Sequence, residues 1–140
     1  MILFDTDTLT HFSHGNENVR RKITEAADME EIAISVITWH EVLRGRAENL
    51  LKAANEDELR KAADRFRQTE ELLADFIVLG IDDNAVSHFG KLVKQKNLRR
   101  TGRADMLIAS IALANDALLV TSNIKDYKHV AGLRFENWVD

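Results

Sequence analysis

Four acids in this sequence of 140 residues stand where chemistry could be done. Asp5 directly follows the apolar run Ile2-Leu3-Phe4, and Glu41 lies four residues past the β-branched run at 32–37. Asp105 opens an apolar stretch of helical period, and Asp126 lies six residues past Ala117-Leu118-Leu119-Val120. Carboxylates brought to one point repel and raise one another's pKa values unless a cation compensates. The chain has no cysteine, so thiolate metal sites and a cysteine nucleophile are excluded. An all-oxygen set suits Mg²⁺ or Mn²⁺. Such an ion lowers the pKa of a bound water and offsets charge growing on phosphorus, so phosphodiester hydrolysis is the natural chemistry.

Each acid also has a plainer reading. Thr38-Trp39-His40-Glu41 fits a capping box in which Glu41 reaches back to a backbone N–H. Asp7 fits an N-cap for a helix through Leu9 and Phe12, Asn123 a cap for a helix at Asp126, and Asp105 a complement to a helix dipole. With Asp7 as the cap, Asp5 closes a buried strand with no solvent contact and no cap to make.

These acids need elements to position them. The runs at 2–4, 32–37, 76–79 and 117–120 are continuously apolar, as in parallel strands covered on both faces. Segments of helical period lie between them: Val42, Leu43, Leu50, Leu51; Leu59, Phe66, Leu72, Leu73; Val86, Phe89, Leu92, Val93; and Met106 to Ala114. The pattern predicts an α/β/α sandwich around a mainly parallel sheet of four to five strands, the fifth from residues 133–138. Ligands of open α/β sheets gather at the carboxyl ends of the strands. Asp5, Glu41 and Asp126 are expected at that edge, with Asp105 brought in by a helix start.

Composition bounds the alternatives. At 45% hydrophobic and 30% charged residues the chain is globular, with no run near the roughly 20 apolar residues of a membrane span. Its start, MILFDTDTLT, lacks the features of an export signal, so a cytoplasmic protein is expected. No repeat or linker divides it, and residues 1–140 are expected to form one domain. The charged stretch 55–67 reads as a solvated helix or helical hairpin. Net charge is −4, yet Lys91 to Arg103 carries six basic residues and no acid, leaving thirteen basic residues against 23 acids elsewhere. Arg99, Arg100 and Arg103 are candidates for phosphate or partner contact beside Asp105, with Arg44 and Arg46 adding to the track. His11 and His14 lack a His-Glu-x-x-His pattern, no Gly-x-Ser-x-Gly elbow is present, and Trp39 and Trp138 read as packing residues.

Taken jointly, several fragments resemble the PIN-domain ribonucleases, and within them the VapC-type toxins of bacterial toxin–antitoxin pairs. These are Ile2-Leu3-Phe4-Asp5-Thr6-Asp7, Ser35-Val36-Ile37-Thr38 with Glu41-Val42-Leu43 and Gly45, Asp105-Met106-Leu107-Ile108-Ala109 with Ala112, and Val120-Thr121-Ser122-Asn123 with Asp126-Tyr127, Val130, Gly132-Leu133 and Trp138. They fall in the family's order and span nearly the whole chain. The resemblance implies a metal-dependent endoribonuclease with Asp5, Glu41, Asp105 and Asp126 as its catalytic acids. Asp5 and Asp105 are implied as direct Mg²⁺ ligands, joined by Glu41. Many relatives have an acid where this chain has Asn123, so Asp126, or Asn123 through a water, would fill the fourth place. Asp7 and Thr121 would assist by hydrogen-bonding a ligand or a metal water. A cognate antitoxin and a homodimer are implied as partners, with no membrane.

Two other readings compete. Asp5-Thr6-Asp7-Thr8 also resembles the Asp-x-Asp-x-Thr motif of haloacid dehalogenase-type phosphatases, with Asp5 as nucleophile and Asp7 as acid. The other is a PIN-fold member without catalysis that binds only RNA or protein.

Overall fold

The computed structural model describes residues 1–140. Five strands, β1 (Ile2–Phe4), β2 (Ile32–Ser35), β3 (Ile77–Leu79), β4 (Leu118–Val120) and β5 (Phe135–Glu136), form one sheet in the order β3-β2-β1-β4-β5. Every neighbouring pair is parallel. The helices are α1 (Thr6–Ser13), α2 (Glu17–Ala26), α3 (Val36–Lys52), α4 (Glu56–Leu73), α5 (Asp83–Leu92), α6 (Arg103–Ala114) and α7 (Ile124–Tyr127), with a 3₁₀ turn at Lys96–Leu98. The chain winds outward from β1 to β2 and β3, then returns to place β4 on the other side of β1. The strand order therefore reverses beside β1, and a crevice opens at the carboxyl ends where it does.

Alternation along the strands divides the buried residues between two faces. Leu3, Ala33 and Leu119 belong to one core with Met106, Ile108, Ile111 and Tyr127. Ile2, Phe4, Ile34 and Val120 belong to the other with Leu9, Val19, Leu73 and Trp138. In the second core the Phe4 ring packs edge-on against Trp138, centroids 5.7 Å apart, and against Phe12 at 6.4 Å. Trp138 is thus a core residue, while Trp39 is partly exposed on α3. No helix is long and apolar enough to cross a membrane.

Two local expectations change and a third is met. The second strand stops at Ser35 rather than Ile37, because the Ser35 side chain accepts the Thr38 N–H at 3.1 Å and starts α3 at Val36. This cap overrides the strand preference of Val36 and Ile37. Second, β3 is an edge strand, not covered on both faces: Ile77 and Val78 are 41% and 42% exposed. The charged stretch at 55–67 is helical as expected: it belongs to the long helix α4, which packs against α3 across a short connection and is capped by Asn55.

Ser35 is fully buried, so removing its hydroxyl leaves the start of α3 without its cap. Ser35→Ala is expected to lower unfolding free energy by about 1–2 kcal/mol, as read by urea denaturation. A loss under about 0.3 kcal/mol would contradict the capping role.

Candidate active site

The end of β1 passes straight into α1, and Asp5 is the residue between them. Its backbone N–H donates to the Val120 carbonyl at 3.1 Å, continuing the ladder with β4 by one residue. Its side chain caps α1, Oδ1 accepting the Thr8 N–H at 2.8 Å. Asp7, expected as that cap, instead lies in the first turn of α1. The premise that Asp5 had no cap to make therefore falls. A cap does not account for its burial, however, since N-caps normally stand in water and Asp5 is only 5% exposed. Burial raises its pKa above the ordinary 3.8, and hydrogen bonds from Thr121 and Thr8 pull only partly against that rise.

Glu41 lies in the second turn of α3. Because Ser35 is the cap, the Thr38-to-Glu41 capping box does not form. The Glu41 carboxylate instead accepts from the Thr6 hydroxyl at 3.3 Å, and the same hydroxyl lies 3.1 Å from Thr38 Oγ1. Two helix starts, α1 and α3, are thereby joined by hydroxyls at the sheet edge.

Asp105 enters from the first turn of α6, the helix that crosses back to β4. Burial is the main cause of its raised pKa; the Tyr127 hydroxyl, donating to Oδ1 at 3.1 Å, lowers it, and the charges of Asp126 and Asp5 raise it. Asp5 and Asp105 thus feel each other across the crevice.

Asp5, Thr6, Asp7, Glu41, Asp105 and Asn123 line one cleft of about 120 Å³. None of its lining residues is basic. Asp126 stands behind the cleft lining, its carboxylate taken by the Asn123 side-chain amide. Thr121 is fully buried beneath, its hydroxyl accepting the Asn123 N–H at 2.9 Å. The donor set is all oxygen, crowded and uncompensated, which fits a hard divalent cation better than any other ligand. Asp5, Asp105 and Glu41 are the residues that would hold it. Their carboxylates line the same cleft, but no three of them are placed close enough together here to form a metal cage.

The arginines separate into two groups. Arg99 and Arg100 are exposed on the turn before α6, and Arg103, at the first position of α6, lies over the Phe89 ring at 5.2 Å. All three are within a few residues of Asp105. Arg44 pairs with Glu48 on the surface of α3, and Arg46 donates to Thr69 of α4 at 3.0 Å; neither lines the acidic cleft. Arg46 belongs to a larger groove of about 630 Å³ between α1, α3 and α4, which contains no carboxylate.

Sequence reasoning quoted Thr6, Thr38 and Tyr127 within its fragments but gave none of them a role at the cleft. A hydroxyl beside each helix start was the available signal for the threonines. For Tyr127, the one tyrosine of the chain, adjacency to Asp126 was the only hint. The phosphatase reading is corrected here: Asp5-x-Asp7-x-Thr forms the cap and first turn of α1, with Asp5 Oδ1 engaged by the helix backbone.

Comparison with known proteins agrees with this architecture. Residues 2–133 match the PIN domain family. Ribonuclease VapC2 of Rickettsia felis is 33% identical over 110 residues, 76% of this chain and 74% of the relative. The tRNA(fMet)-specific endonuclease VapC of Salmonella typhimurium is 24% identical over 97% of this chain and 96% of its own. Among solved structures, VapBC2 from Rickettsia felis bound to a promoter DNA fragment superposes with a TM-score of 0.74 at 28% identity, covering 99% of both chains. VapBC-1 from nontypeable Haemophilus influenzae superposes at 0.81 with 22% identity over 100% of both. With that family match over nearly the whole chain and the Rickettsia felis relative, the chain belongs to the PIN-domain family, among the VapC ribonucleases.

Proposed function

We propose that this chain is a metal-dependent endoribonuclease, the toxin of a type II toxin–antitoxin pair, using Mg²⁺ or Mn²⁺ held by Asp5, Asp105 and Glu41. The observation that carries the reading is the pairing of buried Asp5 with Asp105 in a cleft with no basic residue. Relatives named as ribonucleases support the substrate class. A divalent cation bound there supplies a water of lowered pKa and offsets charge building on the phosphorus.

The protein's own groups do the rest. Asp5 is fixed by the α1 backbone, so its free oxygen has one direction. Thr6 orients Glu41, and Thr121 steadies Asp5 from below. Asn123, with Asp126 behind it, completes the rim at the place where many relatives carry an acid. Arg99, Arg100 and Arg103 hold flanking phosphates beside Asp105, offsetting the repulsion that the acidic remainder exerts on RNA. Structural relatives solved as VapBC complexes support a small antitoxin partner. We further assign a homodimer, cytoplasmic residence and a single domain over 1–140.

Two outcomes test this reading. Wild type is expected to cleave total RNA only with Mg²⁺ or Mn²⁺ present, and Asp5→Asn is expected to be slower by more than about 100-fold, beyond the loss typical of an outer partner. Equal cleavage by both proteins, or cleavage in excess chelator, would sink the proposal.

Stability gives an independent sign. Folding raises the pKa values of Asp5 and Asp105 above 3.8, so the folded chain binds protons more tightly than the unfolded one. Their contribution to stability is greatest below pH 3.8 and falls as pH rises through the raised folded values. At neutral pH, neutralising Asp105 should therefore stabilise the metal-free protein. Asp105→Asn is expected to raise Tm by roughly 2–5 °C in chelator. Added Mg²⁺ should raise Tm of the wild type and leave the variant nearly unchanged. A lower Tm for the variant in chelator would contradict the cost of burying a charged Asp105 beside other acids.

A further inference from the structure

Tyr127 is buried completely, at the end of the short helix α7, in the core beneath α6. A phenylalanine would fill that space equally well. Carrying a hydroxyl into a core is unfavourable unless it finds a partner, and this one donates to Asp105 Oδ1 at 3.1 Å. It is the one hydrogen bond that the Asp105 carboxylate accepts from an uncharged donor, and the neighbouring Asp126 carboxylate acts on it from the same side of the fold. No buried side-chain polar atom lacks a partner, so Asp105 Oδ2, which accepts no hydrogen bond, is not fully buried, and Asp105 lines the cleft.

Asp5 and Asp126 both act electrostatically on Asp105. Without a tether, repulsion would turn a half-buried carboxylate away from the other acids and toward water. Tyr127 supplies that tether and is itself held in place. The Asn123 N–H donates to Thr121, and the Asn123 side chain takes Asp126, which fixes the turn that begins α7. The phenol's own pKa is pushed far up by burial, so it stays a neutral donor and adds no charge to an acidic site.

We infer that Tyr127 is a positioning residue for cation binding: its hydroxyl holds Asp105 by Oδ1 and leaves Oδ2 free to ligate. The inference rests on the reading of the cleft as a cation site. It assigns the polar end of Tyr127 to the site and only its ring to the core.

Calorimetric titration of Mn²⁺ into wild type and Tyr127→Phe tests it, with circular dichroism showing that both are folded. The expected result is about tenfold weaker Mn²⁺ binding by the variant, within the range found for partners of metal ligands. Its RNA cleavage should recover to within about twofold of wild type when Mg²⁺ is raised about tenfold, with KM for RNA unchanged. Mn²⁺ affinity within twofold of wild type would overturn the inference. So would an activity loss that no Mg²⁺ concentration restores, since that marks a slackened fold. Wild type that gives no Mn²⁺ binding at all would remove the cation reading itself, and this inference with it.

Discussion

The burial of two carboxylates, Asp5 and Asp105, at one edge of the sheet is the constraint around which the rest of this molecule is arranged. A carboxylate at the end of a buried strand, facing another that enters from a helix start, raises the energy of the folded chain unless something positive stands between them. Nothing basic lines the cleft. The fold nevertheless fixes both acids firmly, Asp5 by the α1 backbone and Asp105 by Tyr127. Groups held rigidly against their own repulsion are preorganised for a cation, and the cost is met elsewhere, by the two apolar cores that pin β1 from both faces.

That arrangement follows from topology. β1 lies between β2 and β4, and each of its neighbours sends its next element away from the same edge. α3 delivers Glu41, the turn after β4 delivers Thr121 and Asn123, and α6 returns to the edge with Asp105 at its start. One crevice thus collects acids that are distant in sequence. Exposed arginines just before Asp105 put positive charge outside the cleft rather than in it. A net charge of −4 is then compatible with a polyanionic substrate, because the two signs occupy different places.

Much of this was legible in the sequence, and the failures are local. The four apolar runs located β1 to β4, and the acids after them located the edge, because continuous apolar character and strand ends are one-dimensional signals; β5, only two residues long, lies within the expected stretch 133–138 but has no such run. Capping was not legible. Asp5 and Asp7 are both good caps two residues apart, and only the pairing of β1 with β4 decides that Asp5 ends the strand and caps the helix. In the same way Ser35 and Thr38 compete to start α3, and the winner decides whether Glu41 is a capping residue or faces the cleft. Tyr127 was read as part of a family pattern. Its hydroxyl meets Asp105 from 22 residues away, a contact that no local spacing announces. The exposed edge of β3 was missed because an apolar run looks the same at an edge as in the middle of a sheet.

Anomalous diffraction from a crystal of the chain soaked in Mn²⁺ would test the central claim most directly. The account predicts a difference peak in the cleft beside β1, within ligating distance of Asp5 and Asp105, with the Glu41 side chain drawn toward it. A well-ordered cleft with no peak, or manganese bound only at surface acids remote from Asp5, would contradict it.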